Sequence, residues 1–359
     1  MSAAERVVRP EIQAMHAYPV ADATGLVKLD LMESPYGLPP ELAAEVGRVV
    51  SKLALNRYPV PTAVRLRALI RDVMQVPAGC DVLLGNGSDE CIQYITASVA
   101  REGAVVMAPA PSFAMFSMHA LFYRLRFVGV PLREDFSLDT EAFLAAMVKE
   151  HPALVWIAYP NNPTGNAFPA PDIERILHAA PGLVVLDEAY QPFAGCTFMP
   201  RLAEFENLVV MRTVSKIGMA GLRLGYTCGR PEWIDAFNKT RSPFNINVVT
   251  EAVAITLLEN KKVLDEQSAR VLAERERLRP LLERLPGITL YPSVANFFLA
   301  RVHGPAGSGT RVFGALRAQG VLVRNFDGGA PALANCLRLS IGTPEENRIL
   351  LAELSEALK

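Results

Sequence analysis

Residues 182–190, GLVVLDEAY, and residues 207–216, NLVVMRTVSK, decide the fold. Each opens on a turn-forming residue and then runs through consecutive apolar positions without alternation. A strand that is apolar on both faces must be covered on both, as inside a parallel sheet flanked by helices. Each run ends in a charge that such an interior does not welcome, Asp187 in one and Lys216 in the other. DVLLG (81–85), GAVVMAP (103–109) and ALVWIAYP (153–160) share the texture, and helical patterns such as SDECIQYITASVA (88–100) lie between. This alternation predicts an α/β fold, a large doubly wound domain with a mostly parallel sheet, over residues 41–247.

The texture changes at 248. Residues 248–286 read as a long, charged, amphipathic helical stretch. ITLYPSVANFFLARV (288–302), a helix near 310–319, GVLVRNF (320–326), CLRLSIG (336–342) and a terminal helix follow. They predict a smaller α+β domain over 248–359. Residues 1–40, rich in proline and turn signals, read as an N-terminal arm that packs on something else.

Composition narrows the function. Of 359 residues, 50% are hydrophobic and 20% charged, and the net charge is −1. That describes a globular chain with no basic block to bind nucleic acid. No apolar run reaches the roughly 18 residues of a membrane span. The first residues lack the apolar core of a signal peptide. The 5 cysteines are scattered with no C-x-x-C, as expected of reduced thiols in a cytoplasmic protein. The 5 histidines show no metal-ligand spacing, so no metal is expected.

In open α/β sheets, ligands gather at the carboxyl ends of the strands. After DVLLG comes NGSDE (86–90). Gly85 and Gly87 permit close backbone approach, Ser88 can cap the next helix, and first-turn N–H groups make an anion site. Taken alone, an ordinary glycine turn with a serine cap is the commoner reading. Asp89 and Glu90 suit the helix dipole but must turn away from a bound phosphate. After ALVWIAYP comes NNPTGN (161–166), either a plain turn or a loop that aims Asn162 at a ligand. Asp187 is either a helix cap or a buried carboxylate seeking a cation, and Tyr190 could face the same way. Lys216 follows Ser215 and precedes Arg223 in GLRLG (221–225). It is either a surface lysine or a desolvated amine with a depressed pKa, hence a nucleophile. Taken together in this order, an anion cradle, a buried carboxylate, a phenol and an amine suit pyridoxal phosphate.

With these residues in place, the chain resembles the fold type I pyridoxal-phosphate aminotransferases, and among them the histidinol-phosphate aminotransferase subfamily. MESPYGLP (32–39), NRYP (56–59), GNGSDE (85–90), YPNNPTG (159–165), LDEAY (186–190), SK…GLRLGY (215–226), SPFNIN (242–247) and LRLSIG (337–342) stand in the family's order. The resemblance covers nearly the whole chain and implies roles. Lys216 would hold the cofactor covalently and then move a proton at the substrate Cα. Asp187 would pair with the ring nitrogen. Tyr190 and Asn162 would hydrogen-bond the ring oxygen, and Phe113 would stack on the ring; plain core packing is the alternative for Phe113. The phosphate would take N–H groups near Gly87, Ser88 and Asp89, with Ser215 and Arg223. Tyr58 would reach in from the other subunit of a homodimer.

Arg338 and Arg324 match anion-binding arginines for the substrate, and Asn245 and Asn296 match polar positions near it. A surface salt bridge is the alternative for Arg324. The loop from Lys216 to Arg223 is one residue shorter than in many members, and Ser34 replaces a larger polar residue. The implied reaction moves an amino group between L-histidinol phosphate and 2-oxoglutarate, giving imidazole acetol phosphate and glutamate, in histidine biosynthesis. An aromatic amino acid aminotransferase and a phosphothreonine decarboxylase are alternatives on the same machinery. A third is a regulator that keeps the domain without the chemistry. Such regulators carry an added DNA-binding domain, for which 40 residues are too few.

Overall fold

The computed structural model describes residues 2–17 and 20–359. Among these residues, twelve strands, β1 (Val27–Leu29), β2 (Asp81–Asn86), β3 (Val105–Ala110), β4 (Arg126–Pro131), β5 (Leu154–Ala158), β6 (Leu183–Asp187), β7 (Leu208–Thr213), β8 (Leu224–Gly229), β9 (Ile288–Leu290), β10 (Phe297–Val302), β11 (Val321–Asn325) and β12 (Cys336–Ser340), form two sheets.

The large sheet has the order β2-β8-β7-β6-β5-β3-β4. From β7 to β4 every pairing is parallel, and β8 alone runs against both its neighbours. Every residue of β5, β6 and β7 is buried, as two-sided apolar runs require. Their side chains alternate between two cores. Val155, Ile157, Val184 and Leu186 face one; Leu154, Trp156, Leu183 and Val185 face the other.

The small sheet has the order β1-β11-β12-β10-β9 and closes over its own core, which includes Leu278, Phe298, Val312, Leu339 and Leu350. Two features differ from the expected division. Strand β1 lies within the N-terminal arm, yet it pairs in parallel with β11 and completes the small sheet. Helix Val248–Glu259 was assigned with the small domain. Its Val253, Ala254, Leu257 and Leu258 instead share a core with Leu42, Leu66 and Ile70 of the large one. Asn260 ends that helix and Lys261–Glu283 starts at once; Leu264 still packs in the large core while Val271, Leu278 and Leu282 pack in the small one, so the chain changes bodies inside the second helix. Among the described residues, no helix is long and apolar enough to cross a membrane. Nor does any group of three or more His, Cys, Asp or Glu side chains form a metal cluster there.

Candidate active site

Parallel strands deliver their carboxyl ends to one edge of the large sheet, and the predicted residues arrive there. Asp187 is the last residue of β6. It follows the side of the sheet that Leu183 and Val185 face, and Phe113 packs on that same core. Among the described residues, its carboxylate accepts one hydrogen bond, from Ala189 N–H at 3.1 Å. Glu188 points to the opposite face. It makes a buried ion pair there with Arg212 (2.7 Å) and also accepts from Phe198 N–H. Adjacent acids thus have unlike fates. Glu188 is neutralised by a guanidinium, while Asp187 is buried without a partner of that kind.

Burial pushes the Asp187 carboxyl up to about 7. In the unfolded chain such a group titrates near 4. Between those values the folded protein keeps a proton that the unfolded chain has lost. Stability from this group is therefore present at low pH and lost as pH rises towards 7. Asp187→Asn removes the titration. Without cofactor, the wild type should lose roughly 2 to 3 kcal/mol more than this variant between pH 5 and pH 8, read from urea unfolding at both. Identical pH dependence in the two proteins would contradict a buried, under-partnered carboxyl.

Lys216 lies in the single 3₁₀ turn Ser215–Ile217 that follows β7. Its Nζ donates to Leu31 O at 2.9 Å and stands 5.7 Å from the centre of the Tyr190 ring. Burial, and then the positive charge of Arg338, lower its pKa to about 8. At that value roughly a tenth of the side chain is neutral amine at pH 7, against well under a thousandth for an ordinary lysine, and the neutral form is the one that attacks a carbonyl.

The anion cradle is built by three segments. Helix Gly87–Val99 starts directly after β2. Asn86 is its N-cap, and no side chain caps it, so first-turn N–H groups stay open. Ser88, expected as the cap, lies inside the first turn instead. Gly87 has φ +79, and a Cβ there would fall 2.6 Å from Arg223 Nη2. Arg223 donates to Asp89 at 3.0 Å, which draws that carboxylate aside. Glu90 likewise turns back, accepting from Asn86 N–H and from Asn245 Nδ2. Ser215 N–H and Oγ are both bonded to Thr213 Oγ1, which fixes the turn at the cradle's third side. The reversed direction of β8 is what returns Arg223 to this edge.

A second chain of hydrogen bonds ties the two bodies. Arg338 of β12 donates through Nη1 to Asn162 Oδ1 (2.6 Å), and Asn162 Nδ2 donates to the Tyr190 hydroxyl (3.2 Å). The Asn162 loop is held by Asn161, whose amide reaches Pro111 O and Thr164 and accepts from Ser112. Arg324 is the direct cross-strand partner of Arg338, so both side chains share a face. Their guanidiniums approach the Phe326 ring to 6.0 and 5.5 Å.

Asn245 and Asn296, expected at the substrate, are placed differently, and Tyr58, expected to serve another subunit, faces outward. Tyr58 is 82% exposed and stacks on Phe244, outside its own chain's site. Asn245 spends its amide on Arg241, Leu84 O and Glu90, so it braces the cradle. Asn296 is buried and donates to Met32 O at 3.0 Å. The sequence reading has the arm but not its part in the site. Residues 30–32 line the site with backbone carbonyls, for which no side-chain pattern gives a signal.

The donor set fits pyridoxal 5'-phosphate. A buried carboxyl lacking a cation suits a protonated ring nitrogen, and the open helix start with Gly87 suits a phosphate that a Cβ would exclude. The class I and II aminotransferase model matches residues 24–354. The chain belongs to that family. It is 53% identical over 360 residues, with 99% of this chain and 97% of the relative covered, to histidinol-phosphate aminotransferase 2 of Cupriavidus pinatubonensis. Over the full length of both chains it is 52% identical to histidinol-phosphate aminotransferase 2 of Burkholderia pseudomallei. Among solved structures it is similar to the histidinol-phosphate aminotransferase of Sinorhizobium meliloti in complex with pyridoxal-5'-phosphate. The TM-score is 0.87 at 27% identity, with 98% of this aminotransferase and 97% of that chain covered. The fold is thus the expected fold type I, and the protein is an enzyme.

Proposed function

We propose that this aminotransferase, with pyridoxal 5'-phosphate, transfers the amino group of L-histidinol phosphate to 2-oxoglutarate, in histidine biosynthesis and in the cytoplasm. The observation that carries the reading is the cross-strand pair Arg324 and Arg338, of which Arg338 is joined through Asn162 to Tyr190 beside the lysine. Two guanidiniums on one face can grip a phosphate dianion bidentately and also accept the carboxylate of glutamate. Full-length relatives bearing the histidinol-phosphate name support the same choice.

When bound, the cofactor supplies a sink for the electron pair left by the Cα proton. Lys216 would take that proton and return it two bonds away, to the cofactor carbon attached to the amino nitrogen, which its depressed pKa allows at neutral pH. Asp187 holds a proton on the ring nitrogen. Tyr190 and Asn162 hold the ring oxygen, and Gly87, Ser88, Asp89, Ser215 and Arg223 hold the phosphate through backbone N–H groups and side chains. Phe113 covers the ring.

The enzyme is proposed to be a homodimer in which Tyr58 completes the partner's site. Leu55, Tyr58, Val60, Val64 and Phe244 are all exposed in one chain, an apolar group that a second copy would cover.

The test mixes the loaded enzyme separately with L-histidinol phosphate, phenylalanine and phosphothreonine, following the cofactor absorbance through one turnover. Histidinol phosphate should react at the lowest concentration. Preference for phenylalanine would reassign the enzyme to aromatic amino acids, and carbon dioxide release from phosphothreonine would make it a decarboxylase. Arg324→Ala should raise the KM for histidinol phosphate about 10- to 100-fold, the worth of a charge-assisted bond. An unchanged KM would remove Arg324 from the substrate site.

A further inference from the structure

The arm crosses the site immediately after β1, and three successive carbonyls each accept from a different part of the fold. Asp30 O accepts from Arg338 Nη2 at 2.8 Å, Leu31 O from Lys216 Nζ at 2.9 Å, and Met32 O from Asn296 Nδ2 at 3.0 Å. The next tie runs the other way. Met32 N–H donates to Ser340 Oγ at 3.1 Å. Met32 adopts a left-handed backbone with φ 53, a conformation a methionine enters only when its surroundings impose it. Its side chain packs in a buried cluster with Ala189, Tyr190, Ala295 and Phe297. The turn is therefore gripped on both sides of the Met32 Cα, and the grip sets where the preceding two carbonyls point.

We propose that Asn296 and Ser340 are positioning residues that act through the Met32 turn on Lys216 and Arg338. They hold the turn, the Leu31 carbonyl holds the lysine nitrogen whenever it is not joined to the cofactor, and the Asp30 carbonyl fixes the guanidinium whose other arm reaches Asn162. The proposal rests on the reading of Lys216 as the cofactor lysine. It has a consequence that a static scaffold lacks. A nitrogen joined to the cofactor no longer donates to Leu31, so loading removes one tie from the arm, and Asn296 and Ser340 must then hold the turn with Arg338 alone.

Hydrogen exchange of the 28–37 segment tests this in the full-length protein. The wild type, Lys216→Ala, Asn296→Ala and Ser340→Ala are each measured with and without pyridoxal phosphate. Cofactor-free Lys216→Ala should exchange over 28–37 about tenfold faster than the cofactor-free wild type, the factor expected for one hydrogen bond to a charged group. Loading the wild type should give a similar rise. In Asn296→Ala and Ser340→Ala the rise on loading should exceed that of the wild type, and Ser340→Ala serves if Asn296→Ala fails to fold. Equal exchange in the cofactor-free wild type and Lys216→Ala would overturn the proposal. So would acceleration in the Asn296 and Ser340 variants that ignores the cofactor, because that is a scaffold's signature. A fast Lys216→Ala beside a wild type unmoved by loading would keep the lysine–arm tie while refuting Lys216 as the cofactor lysine.

Discussion

Lys216→Ala is expected to lower turnover by on the order of 10,000-fold, the upper range of what a positioned proton-transfer group supplies. In the proposed roles of Lys216, the variant loses the covalent hold as well as the proton shuttle. Arg223 and Arg338 are permanently charged at working pH and cannot serve as bases. Weak cofactor binding should survive, because the open start of helix Gly87–Val99, Ser215 and Arg223 do not depend on the lysine. Single-turnover absorbance with an amino donor measures the loss, and equilibrium dialysis measures the residual binding. Turnover near the wild-type rate would remove Lys216 from the mechanism.

Arg338→Ala should lower kcat/KM by about 10²- to 10³-fold, with most of the loss in KM. Truncating one member of a buried, hydrogen-bonded charged group typically costs 2–5 kcal/mol, part of it from partners left unpaired. Here those partners are Asn162 Oδ1 and Asp30 O. Arg338→Lys should recover little, since an ammonium cannot reproduce the fork that reaches both. Steady-state kinetics on both substrates decides it. A loss confined to kcat would mean that Arg338 acts on the chemistry through Asn162 and Tyr190 more than on substrate capture.

These residues were legible because they break a pattern. Asp187 and Lys216 end runs that are apolar on both faces, and a charge there stands out whatever its role. Tyr190 was visible only as a neighbour of such a break and Asn162 only as a turn residue after a strand, and family order gave them meaning. The direction of β8 was not legible. Its sequence, LGYTCG, is short and mixed, and nothing in it encodes whether it runs with or against β7. Strand β1 has three residues, too few for a period to emerge. The allegiance of helix Val248–Glu259 was hidden because both it and Lys261–Glu283 have apolar faces, and only packing says which core each one fills. The amide of Asn245 was misjudged because an asparagine that braces a loop and one that greets a substrate look the same in sequence.

The arm's ties also bear on how the enzyme comes into being. Asp30 meets Arg338, and Met32 meets Ser340, across separations of 308 residues in each case. Contacts that distant form late, because the loop they close cannot be rewarded until both ends exist. During synthesis residues 30–32 emerge long before residues 338 and 340, so these two ties form after those to Lys216 and Asn296 can. The candidate site is thus completed by β12, and a chain halted before residue 336 has the open start of helix Gly87–Val99 but neither Arg338 nor Ser340.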